Sequence, residues 1–281
     1  MKNRNAFSML ELIFVIVILG IVSSIGAEII AKVYAQYIVQ RAQHRASLKT
    51  ELAALQIANR LRYMIPGTVY RIKNDDSLES METSFSGSGE VYKGIQWVGF
   101  DGDSFEAVSG DSTGGANPRR PGWSGFIDLN SSDTNTDHLK TPGSDLSLTN
   151  SIISHLSPTS RTIADAVVYF PYDLSEHNIS SVSGDIITLS TAANRHIVEQ
   201  YKLAWSSYAL VVESGDLYLY YDFAPRVAAT RSSTTPRQLL LHHVSTFKFK
   251  GAGKTIRFKI CRDEPIGEDY NITSCKEKAV F

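Results

Sequence analysis

The first 65 residues carry a pattern of apolar and polar positions that predicts one long helix. Residues 12–27 contain no charged side chain, and apolar side chains then recur at helical spacing among charged and amide ones. Pro66 and Gly67 end the pattern. The second half of the stripe consists of Ile30, Val33, Tyr34, Tyr37, Ile38, Leu48, Leu52, Leu55, Ala58, Leu61 and Ile65. A helix over 7–65 would be about 90 Å long, with 7–27 as a transmembrane half and 28–65 as an amphipathic half that packs on a soluble head.

The remaining residues, 66–281, are predicted to form a β-rich head, which makes the fold class α+β with a long N-terminal helix. DAVVYFPY and DIITLS are short runs typical of strands. Two hairpins are predicted. In one, residues 201–213 and LYLYYDF flank Ser214-Gly215-Asp216, and in the other VSTFKFK and TIRFKIC flank Gly251-Ala252-Gly253. Residues 99–150 are rich in Gly, Ser, Asp and Asn, which predicts long loops that decorate the head.

Charge and composition exclude little by themselves. The chain has 281 residues, a formal net charge of -1 and 43% hydrophobic residues, which suits one or two ordinary globular domains. This near-neutral net charge gives no indication of general nucleic-acid binding. The segment PRRPGWSGF places basic residues beside an aromatic one, which suits either contact with nucleic acid or a partner, or a loop anchored by a buried Trp123.

The N-terminus is compatible with three kinds of targeting segment. Lys2 and Arg4 precede the apolar run, and positive charge at this place keeps the start of the chain cytoplasmic. A secretory signal peptide cleaved near residues 24–26, a signal anchor, and a segment cut on the cytoplasmic side before the apolar run all fit these features. Glu11 in the apolar run and the helical pattern that continues beyond residue 26 argue against the signal peptide.

The stretch AFSMLELIFVIVILGIV resembles the processing and methylation motif of type IV prepilins and type II secretion pseudopilins. The resemblance covers the first 30 residues closely and the long helix more loosely. It implies that a prepilin peptidase removes leader residues 1–6 by cutting between Ala6 and Phe7 and then methylates the amino terminus of Phe7. Two positions depart from the family pattern: Ala6 stands where the family usually has Gly, and Glu28 stands where many major pilins have a proline that kinks the helix.

The resemblance also implies a role for Glu11, the fifth residue of the mature chain. A carboxylate in a membrane segment costs roughly 2.5–3.5 kcal/mol or more. In an assembled filament, Glu11 would pair with the amino-terminal charge of a neighbouring subunit, and paired ions lose most of that penalty. The alternative is a carboxylate that merely lies at the interfacial end of the anchor.

For function, the resemblance implies a structural subunit without enzyme activity. Its partners would be the prepilin peptidase, other pilin or pseudopilin subunits, and an inner-membrane assembly platform. The protein would cross the inner membrane once, with its head in the periplasm, and would enter a type IV pilus or pseudopilus as a minor component, because the head is large. One alternative is a tip module that binds DNA or a surface through the 99–150 loops. Another is a signal-anchored periplasmic protein.

Whether the two cysteines, Cys261 and Cys275, are free thiols or form a disulfide depends on the compartment. In the cytosol a free pair is expected, whereas in an exported protein a disulfide is expected. Such a disulfide would close a loop of about 15 residues, worth roughly 3 kcal/mol. The export that the family resemblance implies favours the disulfide.

Three N-x-[ST] triplets are candidate glycosylation sites. Each has an acid two positions before its asparagine, a pattern that resembles the extended acceptor sequence of bacterial N-linked glycosylation. The asparagines are Asn130, Asn178 and Asn271, and the acids are Asp128, Glu176 and Asp269. Asn271 is expected in an exposed turn inside the Cys261–Cys275 loop.

The catalytic and redox motifs HExxH and paired CxxC do not occur. The acids Asp101, Asp103 and Glu106 in DGDSFE are candidate calcium ligands, and a solvated acidic loop is the alternative explanation for them. No other cofactor is expected. Neighbouring His242 and His243 would face opposite sides of a strand and would make a poor metal site.

Overall fold

The computed structural model describes residues 8–82, 92–110, 118–171, 173–190, 196–266 and 270–281. One long N-terminal helix precedes a β-rich head with antiparallel sheets, so the predicted α+β class is confirmed. The predicted cleavage position, Ala6 and Phe7, lies outside the described residues.

The long helix, α1, runs from Met9 to Arg62 and is about 80 Å long at about 1.5 Å per residue. Ser8 caps its N-terminus, where its Oγ accepts a hydrogen bond from the Glu11 N–H at 3.3 Å. The helix ends three residues before the predicted end at Ile65. The reason is that the Ile65 N–H already donates to the carbonyl oxygen of Val98 at 2.9 Å, which joins the chain to a sheet.

The head contains two further helices, a short 3-10 turn and sixteen strands within the described residues. In chain order they are β1 (Tyr70–Lys73), β2 (Leu78–Ser80), β3 (Tyr92–Gly99), α2 (Gly102–Glu106), β4 (Val108–Ser109), β5 (Arg120–Pro121), β6 (His138–Lys140), α3 (Leu146–Leu156), the 3-10 turn (Ile163–Asp165), β7 (Val167–Tyr169), β8 (His177–Ser183), β9 (Ile186–Leu189), β10 (Lys202–Ala204), β11 (Ser206–Glu213), β12 (Asp216–Phe223), β13 (Arg237–Leu241), β14 (Val244–Ala252), β15 (Thr255–Ile266) and β16 (Tyr270–Val280).

These strands form three sheets and one isolated pair. The six-stranded sheet has the order β13-β12-β11-β3-β1-β2, the five-stranded sheet β10-β7-β8-β9-β6, and the three-stranded sheet β14-β15-β16, while β4 pairs with β5. Both predicted hairpins are confirmed. In β11–β12, Ser214 and Gly215 form the two-residue turn with positive φ angles of 51° and 84°, the combination that a type I′ turn requires.

The segment 99–150, predicted as long loops, also contains α2, β4, β5, β6 and the start of α3. Trp123 anchors it: the indole is 2% exposed, and its Nε1 donates to the carbonyl oxygen of Asp101 at 2.9 Å. This agrees with the interpretation of PRRPGWSGF as a loop held by a buried tryptophan.

Two main hydrophobic cores hold the head together. One lies between the second half of α1, the six-stranded sheet and the three-stranded sheet, and the other lies around the five-stranded sheet and Trp123. Gly94 on β3 shows how closely the central strands approach, because a Cβ atom there would lie 2.1 Å from the carbonyl oxygen of Leu210.

Candidate assembly helix and its attachment to the head

The first half of α1 is uncovered by the rest of the chain. Large apolar side chains from Met9 to Ile38 are 45% to 87% exposed. By length and composition this helix can cross a membrane, because its most apolar window has a mean hydropathy of 2.6 and none of that window is buried. An apolar surface of this extent is unstable in water and requires lipid or other apolar helices around it.

Glu11 occupies the third position of α1, in the first helical turn. Ser8 and Glu11 have the S-x-x-E spacing of a capping box, and Ser8 does cap the backbone N–H of Glu11. The positive end of the helix dipole also favours a carboxylate here. Sequence reasoning missed this local role, although the S-x-x-E pattern was readable. Within the described residues the Glu11 carboxylate makes no hydrogen bond or ion pair, so it is available to a partner.

The second half of α1 packs on the head through a stripe that differs from the predicted one. Its buried residues are Ala46, Thr50, Ala53, Ala54, Ile57 and Leu61. The predicted contact residues Leu48, Leu52 and Leu55 are 51%, 52% and 42% exposed, so that part of the prediction is wrong. Small side chains let the helix backbone approach the sheets closely, and the Thr50 hydroxyl is satisfied by donating to the Ala46 carbonyl oxygen at 2.7 Å.

Ion pairs fix the helix against the three-stranded sheet. Glu51 lies 2.6 Å from Lys278 and 3.5 Å from Lys276 on β16. The hydrogen bond from Lys278 lowers the pKa of the Glu51 carboxyl. Nearer the membrane half, Arg45 lies 3.6 Å from Glu264 on β15. Contacts at two levels of the helix therefore set where β15 and β16 lie along it.

Cys261 and Cys275 form a disulfide. They lie directly opposite each other on β15 and β16, so the bond joins two neighbouring strands of the sheet that carries the helix. The intervening residues are mostly strand, which corrects the expected open loop. Asn271 is exposed but lies in β16 rather than in a turn, because the pairing of β15 with β16 extends to Ile266 and Tyr270.

Comparison with known proteins identifies a family motif at the N-terminal end of this helix. Residues 1–27 match the family model described as the prokaryotic N-terminal methylation motif. The chain carries the N-terminal motif of type IV prepilins. No curated protein and no solved structure matches the chain significantly. This motif is typical of structural pilin-like subunits, and it implies processing by a prepilin peptidase and assembly with other pilins.

The three candidate glycosylation sites lie in different surroundings. Asn130 and Asn271 are exposed, whereas Asn178 is half-buried in β8. Two of the preceding acids have local roles: Asp128 accepts from the Asn130 N–H at 3.0 Å, and Glu176 accepts from the Val227 N–H at 2.9 Å. The third acid, Asp269, lies outside the described residues. Glycosylation of the three asparagines stays a prediction.

The calcium candidates have separate structural roles. Asp101 caps α2 by accepting from the Ser104 N–H at 3.1 Å, and Glu106 accepts from the Tyr63 hydroxyl at 3.0 Å, while Asp103 is exposed. Burial raises the pKa of Asp101 to about 6. In the part of the chain that the structure describes, no three His, Cys, Asp or Glu side chains come together as metal ligands.

The two neighbouring histidines lie at a bend between β13 and β14, so their predicted placement on a strand is wrong. Both contact Asp216: the Nδ1 atom of His242 lies 2.9 Å from one carboxylate oxygen, and the backbone N–H of His243 donates to the other at 3.1 Å. The pair thus holds the bend in place, a role that needs no metal.

Proposed function

We propose that this prepilin is a minor structural subunit of a type IV pilus or a type II secretion pseudopilus. A peptidase would cut between Ala6 and Phe7 and methylate the new terminus at Phe7. The observation that carries the proposal is the division of α1 into an uncovered apolar half and a half embedded in the head. Such a helix suits a subunit that is stored in the inner membrane and then transferred into a bundle of like helices.

The uncovered half gains little hydrophobic free energy by leaving lipid, because lipid tails are as apolar as leucine. Helix association in that setting depends on close packing and on polar pairs. Gly20 and Gly26 present open space where a side chain would stand, which permits close approach of a neighbouring helix. Polar pairing is the contribution proposed for Glu11.

The carboxylate of Glu11 would accept the amino-terminal charge of an incoming subunit. Within its own chain, the backbone N–H of Glu11 is used by the Ser8 cap while its carboxylate has no partner among the described residues. Cleavage before Phe7 would create a positive amine one residue ahead of that cap. Pairing the two ions in the apolar bundle offsets the cost of holding each alone.

The proposed location is the inner membrane with the head in the periplasm. Two observations support it. The apolar half of α1 can span a bilayer, and the Cys261–Cys275 disulfide suits an oxidising compartment.

Glu11→Ala tests the pairing role, with Glu28→Ala as the matched control. Glu28 is an exposed acid on the same helix and forms an ordinary one-turn pair with Lys32 at 2.6 Å. We expect Glu11→Ala to be processed but absent from purified filaments, and Glu28→Ala to be incorporated like the unchanged chain. Terminal sequencing and mass should give a chain that begins at Phe7 and is one methyl group heavier.

Normal incorporation of Glu11→Ala would contradict the pairing role. A mature chain that begins at Met1, or near residue 27, would contradict prepilin processing itself.

A further inference from the structure

The three-stranded sheet has two faces of opposite character. Its inward face belongs to the core that it shares with α1 and the six-stranded sheet, where Phe247, Phe249, Phe258 and Ile260 are all buried. The alternate positions of β14 and β15 point away from α1, and there Lys248, Lys250, Arg257 and Lys259 are all exposed. These four side chains are named the basic face.

The cations of the basic face are direct neighbours across the strands. Lys248 is opposite Lys259, and Lys250 is opposite Arg257. Like charges at opposite positions of an antiparallel pair destabilise it. Glu277 on β16 lies opposite Lys259 and pairs with Arg257, and no ion pair to any of the three lysines exists within the described residues. The basic face therefore carries positive charge that the described part of the head does not neutralise.

The basic face is also held rigid. Cys261 lies two positions after Lys259 on the same side of β15, and its disulfide to Cys275 joins β15 to β16 there. A partner that binds the basic face consequently does so with little loss of backbone freedom.

We propose that the basic face binds the phosphate backbone of double-stranded nucleic acid. Along each strand the cations recur about every 6.7 Å, and duplex DNA offers one negative charge per about 1.7 Å of helix axis. Lysine acts on phosphate as a point charge. The outward positions of β14 and β15 hold no aromatic side chain on which an unpaired base could stack, which favours a duplex over a single strand.

An acidic protein surface is a poorer partner. Cores of protein–protein interfaces are depleted in lysine and enriched in aromatic side chains and methionine, whereas the basic face has three lysines and neither of those types. The basic face also lies on the far side of the sheet from α1, so that helix does not cover it. The inference does not depend on the proposed function, because binding is measured on the isolated chain.

The proposed nucleic-acid contact lies on the basic face and not in residues 99–150. That segment has eight Asp and Glu against three Lys and Arg, so its net charge opposes a polyanion. The whole chain has a net charge of -1 because acids of this kind offset the basic face, which explains why composition alone gave no nucleic-acid footprint.

The test uses the full chain in neutral detergent and a short fluorescein-labelled DNA duplex, with binding followed by anisotropy at several salt concentrations. We expect log K to fall with log salt with a slope of about -3 to -4, since each neutralised phosphate contributes about -0.9. In the Lys248→Gln/Lys259→Gln variant the slope should be smaller in magnitude by about 2, and binding at low salt should be at least roughly tenfold weaker.

Arg119→Gln/Arg120→Gln is the matched control, because it removes the same charge from exposed positions in the 99–150 segment. It should leave the slope unchanged. Thermal unfolding should show the lysine variant at least as stable as the unchanged chain, since the change removes like-charge repulsion. An unchanged slope in the lysine variant, an equal loss in the arginine variant, or displacement of the duplex by poly-glutamate at equal charge would each overturn the proposal.

Discussion

The two halves of α1 belong to one continuous helix, but the rest of the chain covers only the second half. In the first half, every large apolar side chain from Met9 to Ile38 is exposed within its own chain. In the second half, alanine and threonine are buried together with Ile57 and Leu61, while Leu48, Leu52 and Leu55 are exposed. Apolar size therefore does not decide which residues a helix buries; the surface that covers the helix decides it.

The difference has a physical cause in what covers each half. Lipid and neighbouring helices surround a helix on all sides, so a span can be apolar all round. A sheet covers one side only, and close approach of its strands requires small side chains on that side. Thr50 and Ala54, with no exposed surface, mark the line of closest approach.

Ile57 and Leu55 provide the sharpest way to test this contrast, because they are apolar and two positions apart. Ile57 is 1% exposed in the core and Leu55 is 42% exposed. Ile57→Ala should lower the free energy of unfolding of the head by about 2–5 kcal/mol, because it leaves a cavity. Leu55→Ala should change it by less than about 0.5 kcal/mol. Denaturant unfolding of the full chain in neutral detergent measures both.

Equal losses for the two variants would show that the leucine stripe also packs on the head, as the periodic pattern predicted. A loss for Leu55→Ala in filament incorporation alone would instead assign that stripe to contact between subunits.

The first half of α1 was predictable from the sequence because its signals are local. The charge-free run, the Phe7-to-Glu11 offset and the capping serine all lie within one short stretch. The hairpins were predictable for the same reason, since Ser214-Gly215 supplies its turn geometry without help from distant residues.

The packing of the second half was not predictable, because it depends on strands more than 150 residues later. The pairing of Glu51 with Lys278, and the burial of Ala54 instead of Leu55, follow from where β15 and β16 lie. The basic face was missed for a related reason: Lys248 and Lys259 become neighbours only when the β14–β15 register is known.

The disulfide tests how far the second half depends on its sheet. The Cys261→Ala/Cys275→Ala variant should lose about 3 kcal/mol of unfolding free energy, the value expected for a closed loop of about 15 residues. The first half of α1 should keep its helicity in detergent, since no described contact joins it to β15 or β16. Calorimetry and far-ultraviolet circular dichroism separate the two effects, and a simultaneous loss of helix signal from the membrane half would contradict the division.

Asp101 lies close to the end of the second half of α1, and its ionisation should make the stability of this region depend on pH. The Phe100 N–H donates to the Tyr63 carbonyl oxygen at 2.8 Å, so the end of α1 is joined to the segment that Asp101 begins. Burial raises the pKa of Asp101 to about 6 in the folded protein, above its ordinary value of about 3.8. The folded state therefore holds the proton more tightly, and this group's contribution to stability falls as pH rises from about 4 to about 6, by up to about 3 kcal/mol.

Asp101→Asn keeps a side chain that can cap α2 but cannot ionise. The difference in unfolding free energy between this variant and the unchanged chain should move in the variant's favour from pH 4 to pH 7. Asp103→Asn, at an exposed neighbouring position, should show no such trend, and a flat difference for Asp101→Asn would show that its carboxyl is not stabilised in the protonated form.

The smallest expected effect concerns the ion pairs of the two halves. Glu51 contacts Lys278 on the head, whereas Glu28 contacts Lys32 one turn along its own helix. Glu51→Gln should lower the melting temperature of the head slightly, and Glu28→Gln should leave it unchanged, because no part of the described head contacts that region.

The pKa of Glu51 is lowered by the hydrogen bond from Lys278. The contribution of Glu51 to the stability of the fold is therefore present above the ordinary glutamate pKa and is lost as pH falls through the lowered value. Melting curves from acid to neutral pH should therefore show the Glu51→Gln difference shrinking towards low pH, and a difference that persists in acid would mean that Glu51 acts through packing against β16 and not through its charge.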